Sequence, residues 1–274
     1  MISVLFGLIV GFALGLTGGG GSMFAVPLLV YGMAMPAHQA VGVSLVAVGV
    51  TALSGALIRL RRHEVEGRAA LLLGSAGIVG APGGAMLGAK LPSAWLLGGF
   101  ALLMLLVAAR MWRQALRHPG ETWIVRAGDD DPDAAQSGPA CRVNPSGRLT
   151  LTSRCTQVLM CSGVFTGFLS GLFGVGGGFL IVPALTLIVA LPMQRAVATS
   201  LLIIALISAS GSAAHLFTGR PLNLTVTALF VLGGLGGMVL GGRLSRRMAG
   251  PQLQKLFAMT MMGMAIYMLA RVLG

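Results

Sequence analysis

Two glycine-rich stretches in this sequence have the composition of loops that bind an anion through backbone amides. They are GLTGGGGS at 15–22 and GLFGVGGGF at 171–179, and an apolar stretch follows each one. A helix that begins after such a loop presents N–H groups and the positive end of its dipole, which stabilises an anion by about 0.3–1 kcal/mol. Because glycine has no side chain, a ligand can approach this backbone directly. The alternative is close helix packing through small residues.

The distribution of acidic residues indicates the sign of the ligand. No apolar segment contains a carboxylate; the seven acidic residues are Glu64, Glu66, Glu121, Asp129, Asp130, Asp131 and Asp133. Carboxylates inside the membrane are the usual cation ligands and proton carriers. The pattern therefore disfavours cation transport and favours an anion. Coupling of transport to Na⁺ or H⁺ is compatible with the sequence, because backbone carbonyls can bind Na⁺ and a histidine can carry H⁺.

Polar side chains close to the glycine loops are further candidates for ligand binding. The chain has two similar halves. Arg195 lies in a mostly apolar region of the second half, and the matching region of the first half holds His38 and Gln39. The alternatives are snorkelling of Arg195 to the membrane interface and a capping role for His38. Ser44 and Ser200 stand at matching positions. Each hydroxyl either contacts the ligand or bonds back to its own helix.

The sequence holds no set of residues suited to catalysis. Cys161 and His215 are the only candidates for a nucleophile and a base, and they lie in different segments with no acid to complete the set. The cysteines Cys141, Cys155 and Cys161 form no CxxC pair and are expected to be free thiols. We therefore predict that the protein is not an enzyme and has neither a metal site nor a cofactor.

The composition indicates that these candidates lie inside a membrane. Hydrophobic residues make up 55% of the chain and charged residues 9%, with a mean hydropathy of +0.88, whereas soluble domains are about 25% charged. The net charge of +12 comes largely from arginines at the ends of apolar segments. Such placement fits the positive-inside rule rather than a nucleic-acid groove. The predicted partner is the lipid bilayer, and nucleic acid is excluded.

The apolar segments fall into two groups of five, which predicts an all-α protein with about eight to ten membrane segments. Their approximate bounds are 2–17, 22–35, 39–58, 68–90 and 93–111, and then 157–173, 179–191, 196–217, 222–242 and 252–270. A first membrane repeat, 1–111, and a second, 154–274, are separated by the polar linker 112–153. The linker contains the run AGDDDPDA and reads as a solvated loop.

The two groups are copies of one another. At an offset of 156 residues, GFALGLTGGGG (11–21) aligns with GFLSGLFGVGG (167–177). Internal repeats are typical of transporters. Arginines at 59–68 and 110–117 place the loop after segment 39–58 and the central linker in the cytoplasm. The basic cluster at 243–247 is cytoplasmic as well only if the second copy is inverted, so we predict inverted repeats.

Segments 2–17 and 22–35 are too short to cross a bilayer as straight helices. At 1.5 Å per residue they reach about 24 and 21 Å, against a hydrocarbon core of about 30 Å. They predict a hairpin with its glycine tip inside the membrane, and the copy enters from the other side. Non-helical backbone is tolerated at that depth only where protein or a wet cavity covers it. The two tips are therefore expected to meet near the midplane and to form the site.

Two paired motifs resemble the sulfite exporter TauE/SafE family of membrane anion transporters. They are GLTGGGGSMFAVP (15–27) with PAHQAVGVSL (36–45), and GLFGVGGGFLIVP (171–183) with PMQRAVATSL (192–201). The resemblance implies transport of a sulfur oxyanion or organosulfonate, such as sulfite, thiosulfate or sulfoacetate, across a prokaryotic cytoplasmic (inner) membrane. It assigns binding to the loop and TSL-type residues Gly18, Gly20, Gly21, Gly174, Gly176, Gly177, Gly178, Thr199 and Ser200.

The two halves of this expected site differ. Val43 stands where the second copy has Thr199, and Ser22, itself a candidate ligand contact, stands where it has Gly178. The second half is therefore expected to supply more of the polar contacts. We predict a secondary transporter that works by alternating access, in which one repeat or bundle moves against the other around this site. The alternatives are transport of a carboxylate or another small anion, and a non-transporting membrane subunit. A homodimer is left open.

Overall fold

The regular secondary structure of the described residues is helical apart from one short strand pair. The computed structural model describes residues 2–117, 142–143, 149–150, 153–187, 189, 191, 193–217, 223–245, 259, 261–268 and 270. The helices are α1 (Ile2–Thr17), α2 (Ser22–Pro27), α3 (Ala37–Leu60), α4 (Gly67–Lys90), α5 (Ser93–Arg117), α6 (Ser153–Phe173), α7 (Gly178–Leu187), α8 (Met193–Phe217) and α9 (Leu224–Ser245). A π-helix, Leu28–Gly32, continues α2 beyond Pro27, where the proline cannot donate a helical hydrogen bond.

Five helices among the described residues are long and apolar enough to cross a membrane. They are α3, α4, α6, α8 and α9. The chain is an all-α integral membrane protein, as its composition predicts. α1 and the α2–π leg are short, as expected, but α6 begins at Ser153 and its 21 residues make it a full-length span. Only α7, with ten residues, is short in the second hairpin.

The predicted linker is described only at its edges. α5 continues to Arg117, and the two-residue strands β1 (Arg142–Val143) and β2 (Leu149–Thr150) pair antiparallel. The acidic run of the linker lies outside the described residues, as do residues 252–258, 260 and 269 of the predicted segment 252–270. The described residues of that segment, 259, 261–268 and 270, are helical. The expectation of free thiols is wrong for Cys155, which is disulfide-bonded, whereas Cys161 is free and exposed. Cysteine spacing alone gave no sign of that bond.

Both hairpin-forming helices end at a glycine with a left-handed backbone. Gly18 has φ +73° and donates its N–H to the Leu14 carbonyl at 2.8 Å; Gly174 has φ +70° and donates to the Ser170 carbonyl at 2.8 Å. This is the αL motif that terminates α-helices, and it needs a residue without a Cβ. The glycine runs therefore end α1 and α6 at matching positions of the two copies.

Each hairpin-forming helix packs against a helix of the other copy. α1 lies against α9 and α6 against α4. Glycines four residues apart allow the backbones to touch: Gly7 faces the Phe230 carbonyl and Gly11 faces the Gly234 carbonyl. In return, glycines of α9 face carbonyls of α1, and the α4–α6 pair repeats the pattern. Glycines at these helix interfaces therefore serve the close small-residue packing that is typical of membrane helices.

The register of these contacts gives the helix directions. Residue numbers rise together along α1 and α9, from Gly7 beside Phe230 to Gly15 beside Met238, so the two helices are parallel. Numbers run oppositely along the central pair α3 and α8, where Gly49 lies beside Ser208 and Gly55 beside Leu201. α3 and α8 are therefore antiparallel, and their buried faces form the centre of the protein.

Candidate functional site

The two glycine tips meet backbone to backbone. A methyl group on Gly19 would overlap the Gly178 carbonyl, and one on Gly178 would lie 2.7 Å from the Gly19 Cα. Both residues are buried. No side chain separates the two loops at this point. The two tips therefore come together, as the sequence predicts.

The meeting point lies halfway along the two central helices. Gly176 packs on Val48 of α3 and Ile204 of α8; a Cβ there would come within 3.1 and 3.0 Å of their side chains. Val48 is the twelfth residue of the 24-residue α3, and Ile204 is the twelfth of the 25-residue α8. The second tip is thus inserted at mid-height between α3 and α8, which is where the backbone of a transport site is expected.

Each tip also packs on the third helix of the other copy. The added Cβ at Gly18 would lie 2.6 Å from the Val197 Cα, and the one at Gly174 would lie 2.6 Å from the Val41 Cα. Gly18 and Gly174 correspond in the repeat, and so do Val41 and Val197. The contacts are therefore reciprocal, and movement of either tip must displace a helix of the opposite copy.

The remaining loop glycines face their own hairpins. Gly21 packs against the backbone of Leu14 in α1, and Gly177, with φ +69°, lies against Ser170 and the Thr166 carbonyl of α6. Gly20 is buried and donates its N–H to the Thr17 hydroxyl at 2.9 Å. These three candidates shape the turns of the tips rather than the contact between the tips.

Several N–H groups at the tips are already bonded, which corrects part of the expectation. Met23 and Phe24 donate to the carbonyls of Gly20 and Gly21 at 3.3 and 3.1 Å, and Leu180 donates to Gly177 at 3.0 Å. Residues just after each glycine run close tight turns on the run itself, so their amides point back into the loop. An anion would have to bind N–H groups of the glycine runs themselves.

The candidate hydroxyl groups are bonded differently in the two copies. The Ser200 hydroxyl lies 3.1 Å from the Gly18 carbonyl and 2.9 Å from the Val197 carbonyl. Its counterpart Ser44 is buried and its Oγ has no hydrogen-bond partner among the described residues. Ser22 donates to the Gly19 carbonyl at 2.7 Å. The Thr199 hydroxyl accepts the Glu66 N–H at 3.0 Å.

Two further serines at the second tip were missed by the sequence reasoning. Ser208 lies against Gly176, where a Cβ would be 2.8 Å from its Oγ, and Ser170 lies against Gly177. Both hydroxyls are buried and, within the described chain, have no partner. A buried unpaired hydroxyl costs about 1–3 kcal/mol. Three such groups, with Ser44, mark positions where a bound polar ligand would restore hydrogen bonds.

Three of the candidates lie in the first turns of the two central helices. Arg195 is exposed in the first turn of α8, and Gln39 is partly buried in the first turn of α3. His38 lines a separate cavity of about 10 Å³ together with His215 and Gly171. That volume is about one water molecule's worth of space. The structure therefore places His38, Gln39 and Arg195 at the ends of the central helices.

A second cavity lies at the other end of α3. It measures about 190 Å³ and is lined by Gly55, Ile58, Arg59, Arg62, Met238, Val239, Gly242 and Arg243. Arg59 is 5% exposed and donates from Nη2 to the Gly15 carbonyl at 3.2 Å. In the repeat Arg59 and Gly15 correspond to His215 and Gly171, so the two cavities occupy corresponding positions. From the sequence alone, Arg59 indicates only which side of the membrane the end of α3 faces.

Comparison with known proteins agrees with this architecture. Residues 3–268 match the family described as Sulfite exporter TauE/SafE. A "Probable membrane transporter protein" of Xylella fastidiosa (strain Temecula1) is 33% identical over 278 residues, covering 99% of this chain and 95% of that protein. The "Probable membrane transporter protein YunE" of Bacillus subtilis is 30% identical, with 90% and 89% covered.

No solved structure matches the chain. The family match nevertheless spans both glycine tips, both central helices and the paired motifs that carry the resemblance. Among the described residues, the helices that the family match covers include all five that are long enough to cross a membrane. The chain belongs to the sulfite exporter TauE/SafE family of membrane transporters.

Proposed function

We propose that the protein is a secondary transporter of a small anion, a sulfur oxyanion or organosulfonate of the sulfite, thiosulfate or sulfoacetate type. One observation carries the proposal: the glycine tips meet at mid-height of α3 and α8, next to the buried hydroxyls of Ser170 and Ser208, which have no hydrogen-bond partner among the described residues. Hydroxyl and amide donors with no carboxylate in the apolar segments suit a negatively charged ligand.

We further propose that transport proceeds by alternating access between inverted repeats. The directions of corresponding helices fit an inversion. α3 is antiparallel to its counterpart α8. α1 is parallel to α9, and their counterparts α6 and α4 pack on one another in the same way. These directions support the inversion predicted from arginine placement. Movement of one bundle, which holds the interlocked α1–α9 pair, against the other, which holds the α4–α6 pair, would expose the tips first to one side and then to the other.

The test is flux of candidate anions through purified protein in proteoliposomes. Vesicles are loaded with sulfite, thiosulfate, sulfoacetate or acetate, with and without gradients of Na⁺ and H⁺, and efflux is followed. Saturable efflux of a sulfur oxyanion or sulfonate supports the proposal, and the gradient that drives it names the coupling ion. Efflux of acetate alone would reassign the substrate to carboxylates. No flux of any anion would favour a non-transporting subunit.

The variant Ser208→Ala ties the flux to the proposed site. It removes an unpaired buried hydroxyl, so the fold should be unchanged or slightly more stable. Flux should nevertheless fall about tenfold if the hydroxyl bonds the ligand, because one hydrogen bond to a charged group contributes about 1.5–3 kcal/mol. Ser75→Ala is the matched control, since the Ser75 hydroxyl is exposed and bonds to its own helix. Equal flux in both variants would remove Ser208 from the site.

A further inference from the structure

The 190 Å³ cavity between α3 and α9 combines three guanidinium groups with apolar walls. Arg59 lies in the last turn of α3, Arg62 follows that helix by two residues, and Arg243 lies in the last turn of α9. Ile58, Met238 and Val239 form the apolar part of the lining. Arginine is the residue that binds planar or tetrahedral oxyanions through several N–H groups at once.

The described residues that line this cavity carry positive charge and no carboxylate. Glu64 is the carboxylate that interacts with Arg59, and it is only partly buried. Among the described residues, three guanidiniums against one carboxylate leave an excess of positive charge. Arg62 and Arg243 are exposed, whereas Arg59 is buried and donates to a carbonyl. Buried positive charge is costly unless a negative group shares the site.

The size of the cavity restricts the ligand. About 190 Å³ holds many more water molecules than the first cavity, yet it is below the range of about 300–1,000 Å³ that drug-sized ligands occupy. Gly242 opens directly onto this space, because a Cβ added there would meet no atom within 4 Å. A single tetrahedral oxyanion fits, and a large organic anion does not.

We propose that Arg59, Arg62 and Arg243 form a second oxyanion site, separate from the glycine tips, that binds a phosphate- or sulfate-like group. The group can be a free dianion or the phosphate of an anionic lipid headgroup, because the cavity lies where apolar helix ends meet the arginines. The site goes beyond the transport function and does not depend on it. Its Arg59 nevertheless bonds Gly15, three residues before Gly18 at the first tip.

The experiment measures binding to the full-length protein in a neutral detergent after removal of bound lipid. Inorganic sulfate is titrated at constant ionic strength in one arm, and phosphatidylglycerol is titrated against phosphatidylcholine in the other, with the thermal unfolding midpoint as the readout. A saturable rise with sulfate assigns a free dianion. A rise with phosphatidylglycerol alone assigns a lipid headgroup. If neither probe raises the midpoint, the proposal is wrong.

Variants separate this cavity from the tips and from general attraction to a basic surface. Arg62→Gln and Arg243→Gln should each weaken the apparent affinity about tenfold, whereas Arg61→Gln, which is equally exposed but lies outside the cavity, should not. Gly242→Leu fills the cavity and should abolish binding. Gly236→Leu is its matched control, since that glycine also faces open space in α9 but outside the cavity. An equal loss of affinity in Arg61→Gln would show that the anion is attracted nonspecifically by the basic surface and not bound in the cavity.

The outcome is distinguishable from failure of the transport proposal. Ser208→Ala should leave the phosphatidylglycerol or sulfate response of this cavity unchanged while it lowers flux. Loss of the response in Ser208→Ala together with an unchanged response in Gly242→Leu would place the observed binding at the tips and overturn the second site.

Discussion

At the scale of single residues, the paired serines Ser44 and Ser200 have different surroundings in spite of their matching positions. The Ser200 hydroxyl bonds across the copies to the Gly18 carbonyl, whereas the Ser44 hydroxyl has no partner among the described residues. The repeat therefore predicts which positions face the centre but not how each hydroxyl is used. One serine has a structural bond, and the other is available to a ligand.

Alanine at the two serines should separate these roles. Ser200→Ala should lower the unfolding free energy by about 1 kcal/mol, because a buried bond is lost. Ser44→Ala should leave stability unchanged or raise it slightly, yet lower anion flux. Thermal unfolding in detergent and proteoliposome flux measure the two effects. A stability loss at Ser44 equal to that at Ser200 would show that Ser44 is bonded.

The left-handed glycines are the second feature at this scale. Gly18→Ala should destabilise the protein by about 2 kcal/mol or more, because a non-glycine residue at positive φ costs about 1–3 kcal/mol and its methyl group meets Val197. Gly67→Ala is the control, since nothing lies near that position. The measurement is the denaturation midpoint in micelles. Tolerance of Gly18→Ala would mean that the tip relaxes without cost.

At the scale of elements, glycines set how closely the helices approach. The stripes on α1 and α9 bring backbone against backbone, and α4 and α6 repeat the arrangement. In a membrane, where apolar side chains gain little by leaving lipid, such packing is the main force between helices. The two interlocked pairs are therefore expected to behave as rigid units during transport.

Alanine in the stripes should disrupt a helix pair. Gly11→Ala and Gly167→Ala place a methyl group against the Gly234 and Gly77 carbonyls, and overpacking of this kind costs about 1–3 kcal/mol. The two losses should be similar because the pairs correspond. Gly236→Ala, on the open face of α9, should instead be neutral or stabilising by up to about 1 kcal/mol. Unfolding of all three in the same detergent tests this.

Much of this arrangement follows from the sequence, and the rest does not. The glycine runs and the offset of 156 predicted two capped hairpins whose tips meet, because a helix break inside a membrane needs a covering partner. The crossed pairing of α1 with α9 could not be predicted, since a glycine stripe does not specify its partner. Ser208 was missed because its counterpart in the first copy is Ala52, which gives no repeat signal.

At the scale of the whole molecule, the orientation in the membrane rests on opposing signals. Arginines at the ends of α3 and α9 favour the cytoplasm for that side, and with it for the central linker. The disulfide at Cys155, close to the start of α6, is by contrast typical of an oxidising compartment. The cytoplasmic position of the linker stays a prediction that labelling can decide.

Single cysteines in a cysteine-free background provide that test. Asn223→Cys, at the start of α9, should react with a membrane-impermeant maleimide in intact cells. Arg61→Cys, just after α3, should react only after permeabilisation, because α3 and α9 are parallel and these residues lie at opposite ends. Labelling of Arg61→Cys from outside would reverse the orientation. Labelling of both from one side would contradict the parallel arrangement.

The crossed pairing of α1 with α9 also constrains how the protein is made. Gly7 contacts Phe230, which is synthesised more than 200 residues later. At about 5–20 residues per second of synthesis, the interval between the two residues is on the order of 10–40 s. During this interval the glycine face of α1 lies in lipid or against a temporary partner. Neither half of the chain can bury its own glycine stripes. We therefore expect the halves expressed separately to be degraded, and the halves expressed together to assemble.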